Sequence, residues 1–68
     1  MKAIGNRLRA LRGDRTQKAM AEICAVTRQT WYYWERGERK LNLDHAVTIS
    51  RSTGASLDWI IEGKGNPP

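Results

Sequence analysis

Thr27-Arg28-Gln29-Thr30-Trp31-Tyr32-Tyr33-Trp34-Glu35-Arg36-Gly37 carries the signals for both ends of a helix. Thr27 can cap the start by accepting a hydrogen bond from a first-turn N–H, and Gly37 can take positive φ and end the segment. Trp31 and Trp34 are three apart and share one face, which leaves Arg28, Gln29, Tyr32 and Tyr33 at least partly outside. Two uses of that outer face stand side by side. Arginine can donate twice to guanine O6 and N7, glutamine can pair with adenine N6 and N7, and an aromatic ring can pack on a thymine methyl. Equally, Arg28 and Gln29 can simply solvate a first turn, and tyrosines are ordinary half-buried residues.

Composition bears on that choice. The chain has 68 residues, enough for one domain with a small core. Twelve Lys and Arg against seven Asp and Glu leave a formal charge of +5, which favours a phosphate-bearing partner. Lys2, Arg7, Arg9, Arg12, Arg15 and Lys18 precede the quoted stretch, and Arg36, Arg39 and Lys40 close or follow it, so basic residues flank it on both sides. No long run of one sign occurs, which points to a folded binding face rather than a disordered polycation.

Other classes find little support. Cys24 is the sole cysteine and sits in an apolar helical pattern, so a buried thiol is the simpler expectation. His45 has no Cys or His at metal-site spacing, and neither a metal nor a cofactor is expected. Arg7, Arg9 and Arg12 interrupt the only N-terminal apolar pattern, which argues against a signal peptide or membrane span. No glycine-rich phosphate loop is present; Gly13, Gly37, Gly54, Gly63 and Gly65 fall at element boundaries. Asp14, Glu22 and His45 are scattered and form no catalytic constellation, so no enzyme is expected.

The spacing predicts an all-α architecture of short helices. Residues 3–12 place Ile4, Leu8 and Leu11 on one stripe, with Gly13-Asp14 as the exit. Thr16 caps a second helix with Met20, Ile23 and Cys24 inward and Ala21 allowing close packing. About four residues then separate it from the quoted helix, the short connection of a helix-turn-helix. Asn42 caps a fourth helix with Leu43, Ala46, Val47 and Ile49 inward and Gly54 at its end. Ser56 starts a last one containing Leu57, Trp59, Ile60 and Ile61, stopped by Gly63. Trp59 either closes the core or belongs to a paired surface. The whole of 1–68 reads as a single DNA-binding domain, with 64–68 as a tail or the start of a linker.

This order resembles the helix-turn-helix domain of phage repressors, the Cro family and related small bacterial regulators, across roughly residues 4 to 63. Gln17-Lys18-Ala19-Met20-Ala21 looks like the family's start of helix two. Thr27-Arg28-Gln29-Thr30 with Trp34-Glu35-Arg36-Gly37 looks like its recognition helix and exit. Ser56-Leu57-Asp58-Trp59-Ile60-Ile61-Glu62-Gly63 looks like the family's closing helix. The resemblance implies a compact five-helix domain in which Arg28, Gln29 and Tyr33 meet base edges, and Gln17, Thr27, Tyr32, Arg39 and Lys40 meet the DNA backbone. It also implies a structural pair between Arg12 and Glu35. It makes Leu57, Trp59 and Ile60 candidates for a homodimer interface.

The departures are specific. The turn between helices one and two looks about two residues shorter than the family's, and Arg15 stands where the family has leucine, so the rim there is expected to be more open or more basic. Ala25 replaces the usual turn glycine, which requires an uncommon dihedral or an adjusted turn. Ser50 and Thr53 stand in place of Ala and Leu, leaving Trp31 and Trp34 to fill more of the core. The implied protein is a sequence-specific regulator, a phage or prophage repressor on an inverted-repeat operator. It would be cytoplasmic and, when bound, nucleoid-associated, with double-stranded DNA as partner and no membrane. The other candidate is an antitoxin-like protein-interaction module with an unidentified protein partner and secondary DNA contact.

Overall fold

Every helix after the first starts on a side chain that turns back onto its own first turn. Thr16, Thr27, Asn42 and Ser56 accept from the N–H of Ala19, Thr30, His45 and Trp59, each satisfying one of the donors a helix start leaves open. In the computed structural model, which describes residues 2–65, five helices result: α1 (Lys2–Arg12), α2 (Gln17–Ile23), α3 (Arg28–Arg36), α4 (Leu43–Thr53) and α5 (Leu57–Glu62). Part of the 64–68 segment read as tail or linker lies outside the described residues. Gly37, Gly54 and Gly63 adopt positive φ and end α3, α4 and α5.

The core forms where these helices meet. Ile4, Leu8, Met20, Ala21, Cys24, Trp31, Trp34, Leu41, Ala46, Ile49, Ala55 and Ile60 are buried together, with Leu11, Val26, Leu57 and Trp59 packed against them. α1 lies on α3 and α5, α2 on α3, and α4 on α5. Trp31 and Trp34 meet edge to face with ring centroids 6.0 Å apart, an arrangement the ring quadrupoles favour. Burial pushes the Cys24 thiol up, as expected of an inert core cysteine. Among the described residues no helix is long and apolar enough to cross a membrane, and no group of three or more His, Cys, Asp or Glu is placed to hold a metal.

The residue just before each cap extends the same logic. Val26, Leu41 and Ala55 precede the caps of α3, α4 and α5, and the fourth residues after those caps, Trp31, Ala46 and Ile60, are all buried. Apolar residues at these two positions form the hydrophobic staple that fixes the angle at which the chain enters a helix. α2 departs from the pattern, because Arg15 precedes its cap and is exposed. A surface hollow lined by Leu11, Arg15, Met20, Ile23, Ser52 and Thr53 opens there.

Three apolar expectations change. Ile23 is 43% exposed and Leu43 is 69% exposed, whereas both were expected inward. At about 100° per residue, Ile23 lies beyond the Met20 edge of the sector shared by Met20, Ala21 and Cys24, on the side away from Ala21. Leu43 is the first residue of α4, and a helical side chain leans toward the N-terminus, so it projects past the packed part of the helix. Ile60, a dimer candidate, is 0% exposed within the chain itself. It closes this chain's core and leaves no surface to offer a second copy, unlike its half-buried neighbours Leu57 and Trp59.

Gly5 lies inside α1 for a reason periodicity does not reveal. A Cβ there would sit 2.5 Å from the Glu35 carbonyl oxygen and 2.7 Å from that of Trp34. The absence of a side chain lets α1 cross the C-terminal end of α3 at backbone contact. Gly5→Ala is therefore expected to destabilise by about 1–3 kcal/mol despite alanine's better helix propensity. A thermal melt that rises instead of falling would contradict this.

Ala25 takes the uncommon dihedral, with φ 58°. Val26 N–H donates to the Ala21 carbonyl at 2.9 Å and Ala25 N–H to that of Glu22 at 3.2 Å, the paired bonds of a Schellman ending with Ala25 as its left-handed residue. Left-handed alanine costs about 1–2 kcal/mol that glycine avoids. After glycine's larger unfolded-state entropy is set against this, Ala25→Gly is expected to raise the melting temperature by a few degrees, roughly 0.5–1 kcal/mol. An unchanged or lower melt would place the strain elsewhere.

Candidate nucleic-acid interface

α2 and α3 share an electrostatic peculiarity at their starts. Neither has an acidic residue in its first turn, nor does α1, whereas α4 and α5 have Asp44 and Asp58 there. The N-terminal end of a helix is the positive end of its dipole, where acids stabilise and bases do not. α2 begins Gln17-Lys18, and α3 begins on Arg28, which has no acidic partner among the described residues. These helix starts are thus left positive, suited to an anion.

The outer face of α3 gathers the candidate readers. Arg28, Gln29, Tyr32 and Tyr33 line one shallow hollow. Arg28 and Gln29 are exposed, Tyr32 is exposed at 37%, and Tyr33 is half-buried. The two tyrosine rings meet edge to face at 5.5 Å, and Gln29 Nε2 donates to the Tyr33 hydroxyl over a long 3.4 Å. Thr27, Arg39 and Lys40 line an adjoining hollow together with Thr30, Trp34 and His45. There the Thr27 hydroxyl donates to Thr30 Oγ1 at 2.9 Å, and Arg39 donates to the same oxygen at 3.1 Å. The two sets of candidates meet where the Arg39 guanidinium lies 5.9 Å from the Tyr33 ring centre. Gln17 stands apart, with its amide donating inward to Glu35 Oε1 at 3.3 Å.

Behind that surface Glu35 is the one buried charged residue among those described, 3% exposed. Arg12 grips it with a fork, Nε to Oε2 at 2.6 Å and Nη2 to Oε1 at 3.1 Å, while the Trp31 indole N–H also donates to Oε2. Burial pushes the Glu35 carboxyl up, but the Arg12 guanidinium and the Trp31 and Gln17 donors outweigh it and hold the carboxyl below its ordinary range. Arg12 also donates to the Arg15 carbonyl at 2.9 Å, tying down the turn after α1. One carboxylate thus links α1, the start of α2 and the inner face of α3. It ties the start of α2 to α3, two of the helices whose starts carry no acid.

Some basic residues have other duties. Arg7 donates to the Ile60 and Ile61 carbonyls at 2.9 and 2.7 Å, satisfying the end of α5 and fastening it to α1. Arg36 pairs with Glu38 at 3.2 Å and lies 5.5 Å from the Tyr32 ring centre. The indole N–H of Trp34 is buried without a hydrogen-bond acceptor, its ring set edge to face against His45 at 5.0 Å. Gly5 and Arg7 were the structural contributors that sequence reasoning missed. A glycine inside an otherwise helical stripe was the available signal for the first; the second had none, because its partners are backbone carbonyls 53 and 54 residues away.

Comparison with known proteins agrees with this geometry. A helix-turn-helix family model matches residues 7–60. Among solved structures the chain is similar to the P22 c2 repressor protein, crystallised in complex with the synthetic operator 9T in the presence of Tl+. The TM-score is 0.82 at 27% sequence identity, over 90% of this chain and 96% of that one. No curated protein sequence matched.

Proposed function

The chain belongs to the helix-turn-helix family of DNA-binding, repressor-like proteins, and from that premise we propose that it regulates transcription by sequence-specific recognition of an operator. The observation that carries the proposal is the outer face of α3. Arg28, Gln29 and Tyr33 stand together on an otherwise rigid helix whose inner face is fixed by Trp31, Trp34 and Glu35. α3 enters the major groove, where Arg28 addresses guanine O6 and N7, Gln29 addresses adenine N6 and N7, and Tyr33 packs on or bonds to a neighbouring edge. Thr27, Tyr32, Arg39 and Lys40 hold the phosphates and set the register, and Gln17 adds the amide hydrogen that its bond to Glu35 leaves free. Recognition involves no covalent chemistry.

In this reading the chain acts as a phage or prophage repressor, in the cytoplasm and on the nucleoid when bound. The resemblance to a repressor solved on a synthetic operator supports that role. Two copies bind an inverted repeat whose half-sites lie about 34–36 Å apart, one helical turn. Leu57 and Trp59, half-buried on α5, supply the contact between copies. Titration of duplexes carrying two selected half-sites tests this arrangement. Cooperative binding of two chains, lost when about five base pairs are inserted to rotate one half-site by half a turn, is expected. Independent one-to-one binding at either spacing would reject the dimer.

A further inference from the structure

Resting on the α3 reading above, we propose that Arg39 is a positioning residue for base recognition, acting on Gln29 through the Tyr33 ring. Arg39 lies beyond α3 in the following loop, where a phosphate contact is the simplest role for an exposed arginine. Its surroundings do more than point it at solvent. One guanidinium nitrogen donates to Thr30 Oγ1 at 3.1 Å, and the guanidinium carbon lies 5.9 Å from the centre of the Tyr33 ring. Thr30 is itself held by the Thr27 hydroxyl, so the arginine is anchored to the start of the helix it stacks against.

Tyr33 is thereby held from two sides, by the Arg39 cation and by the edge-to-face Tyr32 ring at 5.5 Å. Its hydroxyl accepts from Gln29 Nε2. That bond uses one of the two amide hydrogens and leaves the other, with the carbonyl oxygen, for a base edge. These two groups are the pair that glutamine presents to adenine N6 and N7. A free glutamine side chain samples many rotamers and both amide orientations; one leaning on a fixed tyrosine samples fewer before DNA arrives. Thus a loop arginine that reaches no base sets how sharply Gln29 discriminates. Lysine is a poorer replacement, because its compact, strongly hydrated ammonium cannot lay a plane against the ring while donating to Thr30 Oγ1.

The test is a double-mutant cycle on the full chain, with wild type, Arg39→Lys, Tyr33→Phe and the pair. Tyr33→Phe keeps the ring and removes the hydroxyl, and with it the link to Gln29. Thermal melts establish that each is folded. Affinities for a selected duplex and its single-base variants are measured across salt concentrations. Arg39→Lys is expected to reduce discrimination at the base pair read by Gln29 by about three- to tenfold while keeping the slope of log K against log salt, and to add nothing in the Tyr33→Phe background. Uniform weakening on every duplex, or an equal loss of discrimination in both backgrounds, would overturn the proposal. A wild-type chain with no sequence preference would overturn it together with the α3 reading. That failure is seen in the wild type alone, whereas failure of the positioning role appears only in the variants.

Discussion

Glu35→Ala is expected to lower the melting temperature by roughly 12–24 °C, the equivalent of at least about 3 kcal/mol in a domain of this size. Removing one member of a buried ion pair strands the other. Here the stranded groups are the Arg12 fork and the Trp31 indole N–H, together with the Gln17 amide. The Arg12 side chain is 21% exposed and recovers some hydration, which places the loss near the lower end of the usual 3–5 kcal/mol. Against a total stability of roughly 3–10 kcal/mol for a small domain, a large unfolded fraction at physiological temperature follows. Guanidinium and thermal unfolding followed by tryptophan emission checks the value. A shift of only a few degrees would mean that the pair is no more than a surface contact.

The same carboxylate sets the acid limit. Its folded-state pKa lies below the ordinary value, so the unfolded chain binds the proton more readily as pH falls. The stabilisation is complete above the ordinary carboxylate pKa and is lost as pH drops through the folded-state value. Melting temperature is therefore expected to fall more steeply on acidification in the wild type than in Glu35→Gln. Parallel curves would contradict that assignment.

The second large effect belongs to DNA binding and leaves the fold intact. Arg28→Ala with Gln29→Ala removes two exposed side chains, and the stability change is expected to stay within about 0.5 kcal/mol. Arg28 even opposes the dipole of its own helix, so its removal relieves a small local conflict. Each bidentate base contact is worth about 1–3 kcal/mol, and loss of both reduces affinity for the selected operator by roughly 30-fold to 20,000-fold. Binding to bulk DNA falls far less, since Lys40, Lys18 and the helix starts still attract phosphate. Equal loss on operator and bulk DNA would assign Arg28 and Gln29 to the backbone instead.

Local signals in the sequence were legible because they act over one or two turns. Thr16, Thr27, Asn42 and Ser56 each read as caps, and each accepts the expected first-turn N–H. The tryptophan pair at three-residue spacing named the inner face of α3, and Ala25 named a strained turn. What stayed hidden depends on where a helix sits rather than on its pattern. Ile23 and Leu43 have the right residue type at positions the neighbouring helices do not cover. Gly5 is explained only by α3 crossing above it, and Arg7 only by the end of α5 arriving beside it. At the candidate interface the outward placement of Arg28 and Gln29 could be read, but the contacts from Arg39 through Tyr33 to Gln29 could not. Side-chain geometry across a loop leaves no periodic trace.

Selection of bound sites from a random duplex library, followed by affinity measurement on the winner against bulk DNA, tests the central claim most directly. The α3 reading predicts enrichment of an inverted repeat with half-sites one helical turn apart, bound at least about a thousandfold more tightly than bulk DNA at physiological salt. A pool that returns no shared sequence, or a winner bound no better than bulk DNA, would contradict it.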